Sequence, residues 1–454
     1  MKNERLKLNP IDIVIYTIFI GLTLIDFIFS INQDKDIFVC ITFIIIGISS
    51  IIFFITDRGG VTVDKIIYIF MYLFCYYAPY HQYLDNYIIH PNSPFSESEF
   101  LFANIIILIF LFLYTFSKRL ILKKVQVKKI KYDERISINE LSLSILTIIS
   151  IVCLIILYKS KLLFSTNENI ENSDGIYITM VRMARFFPVA SLLIYIFANK
   201  EKLVNARKIN KKIFIVVIAL INLIIYFPLN GTVSRYLLFG TYIMIFFALS
   251  NKLKYKSLIL VVASIGFYVI FPAFNFFKNH TIFELSEFRL GGFSTNYIDY
   301  DAYQVLMLSV RYAKSHGVLY GANILSGILC IVPRSIFTKK LYPSGQIVAE
   351  YFNFKFLNIS CPLFAEFYIA GGVIAIIFGT ILFSLINKII ENKMMNNNIL
   401  FKGIYTITLG MMFIFMRGAF LPTMSMYLCL IIVYIVVYYI CTPFKKKEVI
   451  KEWV

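Results

Sequence analysis

The stretch Phe38–Ile55, FVCITFIIIGISSIIFFI, decides the fold. It contains no charged residue and no proline, and it approaches the roughly 20 apolar residues with which a helix crosses about 30 Å of hydrocarbon. Its polar and apolar positions do not alternate, which argues against a barrel strand. In lipid the remaining way to satisfy every backbone N–H and C=O within one segment is a helix. Working outward, runs of the same kind recur at Ile11–Phe29, Leu141–Leu157, Phe214–Phe227 and Phe420–Ile440. The whole chain of 454 residues is 59% hydrophobic and only 15% charged, more apolar than a water-facing surface accommodates.

Segmentation on this basis predicts helices near 11–30, 37–55, 66–84, 101–117, 141–158, 183–199, 212–228, 235–250, 257–275, 364–386, 399–416 and 419–441. The expected fold class is therefore all-α: a polytopic integral membrane protein of about 12 transmembrane helices, a single transmembrane domain over 1–454 with a large late external loop at 275–363. Both termini are expected on the cytoplasmic side. The basic stretch Met1–Pro10 precedes a run of span length without a small-residue cleavage site, which reads as a retained first helix rather than a signal peptide.

The net charge of +18 collects in short connections. One cluster holds Lys118, Arg119, Lys123, Lys124, Lys128, Lys129, Lys131 and Arg135; another holds Lys200, Lys202, Arg207, Lys208, Lys211 and Lys212. Such clusters mark the cytoplasmic side and attract anionic membrane lipid. No nucleic-acid recognition motif accompanies the charge, so nucleic acid is not an expected partner. The seven cysteines lack metal-ligand spacing and read as small buried hydrophobes, with a Cys330–Cys361 disulfide left open.

Two segments of the late loop carry structure of their own. Tyr297–Ala313 reads as a short amphipathic helix led by Asp299 or Asp301, with Tyr303, Leu306 and Val310 on one face. It is expected to lie along the membrane surface or to cap a cavity. Val318–Val332 is short, glycine-bearing and followed by Pro333 and Arg334, which suits a re-entrant or interface-lying segment. Were it to cross, Lys445, Lys446, Lys447 and Lys451 would face outward, against the charge rule.

Chemistry points to arginine. Arg182, Arg185, Arg235, Arg289, Arg311, Arg334 and Arg417 fall on the expected external side, four of them at or just inside a helix end. Ionised groups at membrane depth tend to face a protein interior and bind something charged, and guanidinium fits phosphate oxygens bidentately. Several converging would make a site for a pyrophosphate-bearing lipid; singly, each can instead snorkel to the headgroups. Candidate acids or bases are His316 and Glu366, with Asp299, Asp301 and Glu350 also available. Glu366 equally suits a first-turn acid stabilised by the helix dipole. There is no Walker loop, dinucleotide fingerprint or zinc-binding His pair, so no cofactor and no metal are expected.

The stretch Asp299-Tyr-Asp-Ala-Tyr-Gln-Val-Leu, then Gly321, Ile331-Val-Pro-Arg-Ser-Ile-Phe-Thr-Lys-Lys, Asn358-Ile-Ser, Pro362-Leu-Phe-Ala-Glu-Phe-Tyr-Ile and Gly372 resembles the bacterial oligosaccharide repeat unit polymerases, also called O-antigen polysaccharide polymerases. Arg235, after Asn230-Gly-Thr-Val-Ser, looks like the arginine that follows a small polar turn in those proteins. The motif-bearing part covers 235–385; Phe337 stands where tryptophan is common, Leu341 where proline is, and Ala370 where asparagine is. The resemblance implies a glycosyltransferase of the bacterial cytoplasmic membrane that joins undecaprenyl-diphosphate-linked oligosaccharides for O-antigen or capsule. A chain-length regulator is left open as a partner. By this likeness Arg235 and Arg334 grip the diphosphate, and Asp301 and Glu366 belong to the acidic motifs; the residues themselves, beyond what the likeness supports, add Arg185, Arg417 and Arg311 as further diphosphate candidates and His316 or Glu366 as the candidate base. A ligase using the same donor and a transporter of the glycolipid are the rival readings.

Overall fold

The computed structural model describes residues 10–31, 33–57, 59–119, 138–163, 175–199, 209–250, 253, 255–274, 276, 295–395 and 398–442. Most of the lysine clusters, the carboxyl-terminal lysines and Arg289 lie outside the described residues. Helices run in the order α1 (Pro10–Ile31), α2 (Ile37–Thr56), α3 (Val63–Phe70), a π-helical stretch (Met71–Tyr77), α4 (Ala78–Leu84), α5 (Glu97–Arg119), α6 (Glu140–Lys159), α7 (Gly175–Ala198), α8 (Ile209–Ile225), α9 (Arg235–Leu249) and α10 (Lys256–Phe274). After a 3-10 turn at Ile298–Tyr300 come α11 (Ala302–His316), α12 (Ala322–Ile328), α13 (Ser344–Tyr351), α14 (Leu363–Met394), α15 (Ile399–Arg417) and α16 (Phe420–Cys441). There is no strand among the described residues.

Polar side chains fix several starts. The Asp36 carboxylate accepts from the Phe38 and Val39 N–H groups, Asn139 from Ser142, and Asn398 from Leu400; each satisfies a donor that a helix start leaves open.

The fold is an all-α, multi-pass membrane protein, but the expectation of about twelve crossings is overturned. Among the described residues seven helices are long and apolar enough to cross: Ile37–Thr56, Glu97–Arg119, Glu140–Lys159, Thr179–Ala198, Leu363–Met394, Ile399–Arg417 and Phe420–Cys441. Of the other expected spans, Tyr16–Ile31, Arg235–Leu249 and Lys256–Ile270 register as shorter apolar helices over the described residues. Arg235–Leu249 has 15 residues, about 22 Å at 1.5 Å per residue, well under the hydrocarbon thickness. The segment 63–84 changes to a π-helix at Met71, and α10 carries Pro272 near its end. Apolar composition announced these helices, but composition does not report where a helix breaks or whether protein rather than lipid covers it.

The core positions the polar interval. α14 packs on α5, α9 on α15, and α7 on α6 and α16. The α9–α15 crossing depends on Gly240 and Gly410, because a Cβ on Gly240 would meet the Gly410 carbonyl, a small-residue contact common between membrane helices. α11 packs against α5, α13, α14 and the π-helix. Its residues from Ala302 through Val310 are all buried, so it is an inserted helix and does not lie along the membrane surface. The Val318–Val332 stretch yields only the seven-residue α12, about 10 Å long and unable to cross. All seven cysteines are free, Cys330 and Cys361 included. At the other end of the bundle, Lys118 joins Asp64 at 2.5 Å and Glu391 at 3.1 Å, tying α3, α5 and α14 together.

Candidate functional site

A cavity of about 160 Å³ lies between α7, α9 and α16, with Arg182 and Arg185 in its wall and no carboxylate among the described residues that line it. The two arginines are three positions apart, so α7 presents them on one face. Arg182 Nη1 donates to Ser425 Oγ at 2.9 Å, a link from α7 to α16. Arg185 donates from Nη1 to the Thr232 carbonyl and from Nη2 to Thr232 Oγ1, both at 3.1 Å; its buried Nε–H has no hydrogen-bond partner. Every one of these acceptors is neutral. The wall reaches the exterior at Ser234 and at Tyr177, just ahead of the apolar span that begins at Thr179.

The Asn230–Ser234 turn, which supplies Thr232 and Ser234, leads straight into Arg235 at the start of α9. The Asn230 Nδ2 group donates to Ile225 O at 3.0 Å and holds the turn to the end of α8. Arg235 is 2% exposed, with Nη1 donating to Pro228 O at 2.6 Å. Its Nε and Nη2 donors are buried without a partner. Buried polar groups are normally hydrogen-bonded, so idle guanidinium donors beside an arginine-lined cavity mark a place for an acceptor to enter.

Beyond Arg235 the polar path continues. Tyr236 donates from its hydroxyl to Asp299 O at 3.2 Å, and Arg417 lies 4.8 Å over the Tyr236 ring. Arg417, ending α15, donates from Nε to Asp299 O at 3.1 Å and from Nη2 to Asp301 Oδ1 at 3.0 Å. Asp301, at the head of α11, also accepts from the Ser360 N–H at 3.2 Å and faces His90 Nε2 at 3.2 Å. Burial alone would raise the Asp301 carboxyl; the Arg417 charge and the hydrogen bonds from His90 and Ser360 outweigh it and hold the group below its ordinary range. Sequence reasoning placed Asp301 and Arg417 among the candidates, but not as partners.

Glu366 is fully engaged in holding structure. Its Oε2 accepts from Asn323 Nδ2 at 2.8 Å and Ser344 Oγ at 2.6 Å, and its Oε1 accepts from the Phe420 N–H at 2.7 Å. One carboxylate thus pins α12, α13 and the start of α16 to the start of α14. Arg311 donates from Nε and Nη2 to both Glu99 oxygens, at 2.5 and 2.8 Å, and from Nη1 and Nη2 to Ser93 and Pro94; it clamps the loop before α5. Arg334 is exposed and donates to Lys340 O at 2.6 Å and Leu341 O at 3.1 Å within its own loop. His316 is exposed, packed edge-on against Tyr351. It stands at the far end of the 15-residue α11 from Asp301, about 22 Å away, so those two candidates do not share a site.

The structure therefore brings Arg185, Arg235 and Arg417 to one end of the bundle and places Glu366, Arg311, Arg334 and His316 in other surroundings. Sequence reasoning named Arg182 as an external arginine without placing it in the site, though its i, i+3 spacing to Arg185 carried the signal. It had no means of finding Thr232, Ser425 or His90. In comparisons with known families, curated proteins and solved structures, the chain matches none.

Proposed function

We propose that this membrane protein transfers a glycan from a diphosphate-linked lipid donor to the sugar hydroxyl of a second lipid-linked repeat unit, polymerising undecaprenyl-diphosphate oligosaccharides for a surface polysaccharide. The observation that carries the reading is the arginine-walled cavity, with no carboxylate among its described lining residues, followed by the idle donors of Arg235. Arg182, Arg185 and Arg235 bind the diphosphate. Arg417, already paired with Asp301, holds the neighbouring end of α11 in place. As the acceptor oxygen bonds to the anomeric carbon, the bond from that carbon to the diphosphate oxygen breaks and its electron pair leaves with the phosphate. The guanidinium groups stabilise that growing charge, and the acceptor's proton passes to the departing diphosphate or to water. The site faces outward from the cytoplasmic membrane, with the lysine-rich carboxyl terminus on the cytoplasmic side.

The test uses purified full-length protein with defined undecaprenyl-diphosphate repeat units, products resolved by size. Wild type yields a ladder. Arg185→Ala and Arg235→Ala each lower the rate by about 10²–10³, the usual loss for one anion-stabilising donor, while the melting temperature reports whether the fold survives. Unchanged ladders in both variants would remove the proposed diphosphate site. A single attachment to a different acceptor would make the protein a ligase, and carrier translocation without a new glycosidic bond would make it a transporter.

A further inference from the structure

Residues 317–342 turn apolar and cationic side chains away from the protein. Tyr320 is 90% exposed, Ile336 76% and Ile331 62%, and no part of the described chain covers them. No Asp or Glu stands between Asp301 and Glu350, while Arg334, Lys339 and Lys340 fall inside the segment. Its shape is fixed from within. Lys340 Nζ donates to Cys330 O at 2.6 Å and Val332 O at 3.0 Å. The Leu341 N–H donates to Ser326 Oγ at 3.0 Å, and Arg334 stacks 4.4 Å over the Tyr342 ring.

The base of the segment is seated on a break in α14. Gly371 and Gly372 leave the helical conformation, Gly372 at φ 63°, a value that glycine adopts without strain. The Leu319 N–H donates to Ile369 O at 2.8 Å and the Gly321 N–H to Ala370 O at 2.9 Å, taking up carbonyls at the interruption as non-helical backbone in a membrane protein requires. The break also indicates the membrane level. The 32 residues of α14 would extend about 48 Å, far more than the hydrocarbon needs. The part past the break, 373–394, is about 33 Å long and sufficient alone. Leu363–Ala370 is buried in protein throughout, whereas Ile374 and Phe378 are 69% and 70% exposed. The bilayer edge therefore falls at the break, and the segment docked there lies in that edge.

We propose that residues 317–342 form an interfacial foot that binds anionic phospholipid, with Tyr320, Ile331 and Ile336 at the acyl boundary and Lys339 on headgroup phosphates. A second copy of the chain is the weaker occupant: a twofold contact through this face would set cation against cation. The inference does not depend on the glycosyl-transfer reading.

The experiment reconstitutes the full chain, with Cys330→Ser to remove the half-exposed native thiol, in lipid nanodiscs. A fluorophore is attached at Ile336→Cys, and at Ile331→Cys as a second reporter if the first variant fails to fold. Quenching is compared among brominated phosphatidylglycerol, brominated phosphatidylcholine and aqueous iodide. The expected result is strong quenching by the brominated lipids, weak quenching by iodide, and a preference for phosphatidylglycerol that Lys339→Gln lowers by about fivefold. Strong iodide quenching with none from brominated lipid would put the foot in water. Equal quenching by the two lipids in the labelled protein with Lys339 intact would remove the anionic specificity. Protection from both that requires two copies per disc would assign the face to a second chain. No arm uses a lipid-linked glycan, so failure here leaves the catalytic reading untouched, and the reverse.

Discussion

Replacing Glu366 separates a structural pin from a catalytic acid or base. In Glu366→Ala, three donors lose their carboxylate: Asn323 Nδ2, Ser344 Oγ and the Phe420 N–H. Asn323 keeps a second acceptor, the Glu366 backbone carbonyl at 3.0 Å. The other two have none among the described residues. At about 1.5–3 kcal/mol for a hydrogen bond to a charged group, their loss costs about 3–6 kcal/mol and frees α13 and the start of α16 from the start of α14. Glu366→Gln should fall between wild type and alanine. Its carbonyl oxygen can still accept from Phe420, and its NH2 group can be met by Asn323 Oδ1, which is buried and unpartnered, once that amide flips. The assay pairs thermal unfolding in nanodiscs with transfer activity measured well below the melting temperature. Stability should order as wild type, glutamine, alanine, with the glutamine variant retaining most of its activity when folded. A glutamine variant with wild-type stability and no activity would refute the pin and restore Glu366 as a proton-transfer group.

Three further outcomes follow from other contacts. Arg311→Ala should cost about 1–2 kcal/mol for a bidentate, partly exposed pair and open the Ser93–Glu99 connection to limited proteolysis; Arg311→Lys should not restore protection, because an ammonium cannot reproduce the two-pronged contact. Asp301→Asn should cost about 3 kcal/mol by leaving Arg417 without its counter-charge. Because the folded Asp301 carboxyl is held below its ordinary range, its contribution is complete above about pH 4 and lost as pH falls through the depressed value; unfolding curves of wild type and Asp301→Asn should therefore converge only in strong acid. Gly240→Ala should destabilise by about 1–3 kcal/mol, read as a lowered melting temperature, since the added Cβ meets the Gly410 carbonyl.

The helices were legible because an apolar run is a local property: Phe38–Ile55 needs no partner to read as a span. The number of crossings was not, because it depends on interruptions whose cause is tertiary. Nothing in Met71–Tyr77 alone announces a π-helix, and a glycine pair inside an apolar run reads as tolerated rather than broken. The break at Gly371–Gly372 becomes intelligible only when Leu319 and Gly321 are seen to take the neighbouring carbonyls. The burial of α11 was equally hidden. Its apolar stripe of Tyr303, Leu306 and Val310 was correct, but the opposite side carries Gln304, which donates to Gln82 at 3.2 Å and Tyr87 O at 2.8 Å. Polar residues that suggested a water-facing side instead meet polar partners inside the protein.

The same distinction governs the arginines. Sequence proposed them as a set because guanidinium is costly at membrane depth, but cost alone does not say which are already neutralised. Arg311 meets Glu99 and Arg417 meets Asp301, from partners 212 and 116 residues away. Among the described residues Arg182 and Arg185 meet only hydroxyl and carbonyl oxygens, 243 and 47 residues away, and lie within electrostatic reach of each other. Neutral acceptors satisfy donors but cancel no charge, and two cations left uncompensated in a low-dielectric wall repel. Such a wall is stabilised by an anion that enters it, and a diphosphate brings enough charge and enough oxygens to engage both forks as well as the idle donors of Arg235. Among the described residues, charge balance thus sets Arg182 and Arg185 apart from Arg311 and Arg417, which already have carboxylate partners, and supports the diphosphate ligand proposed above without any family likeness.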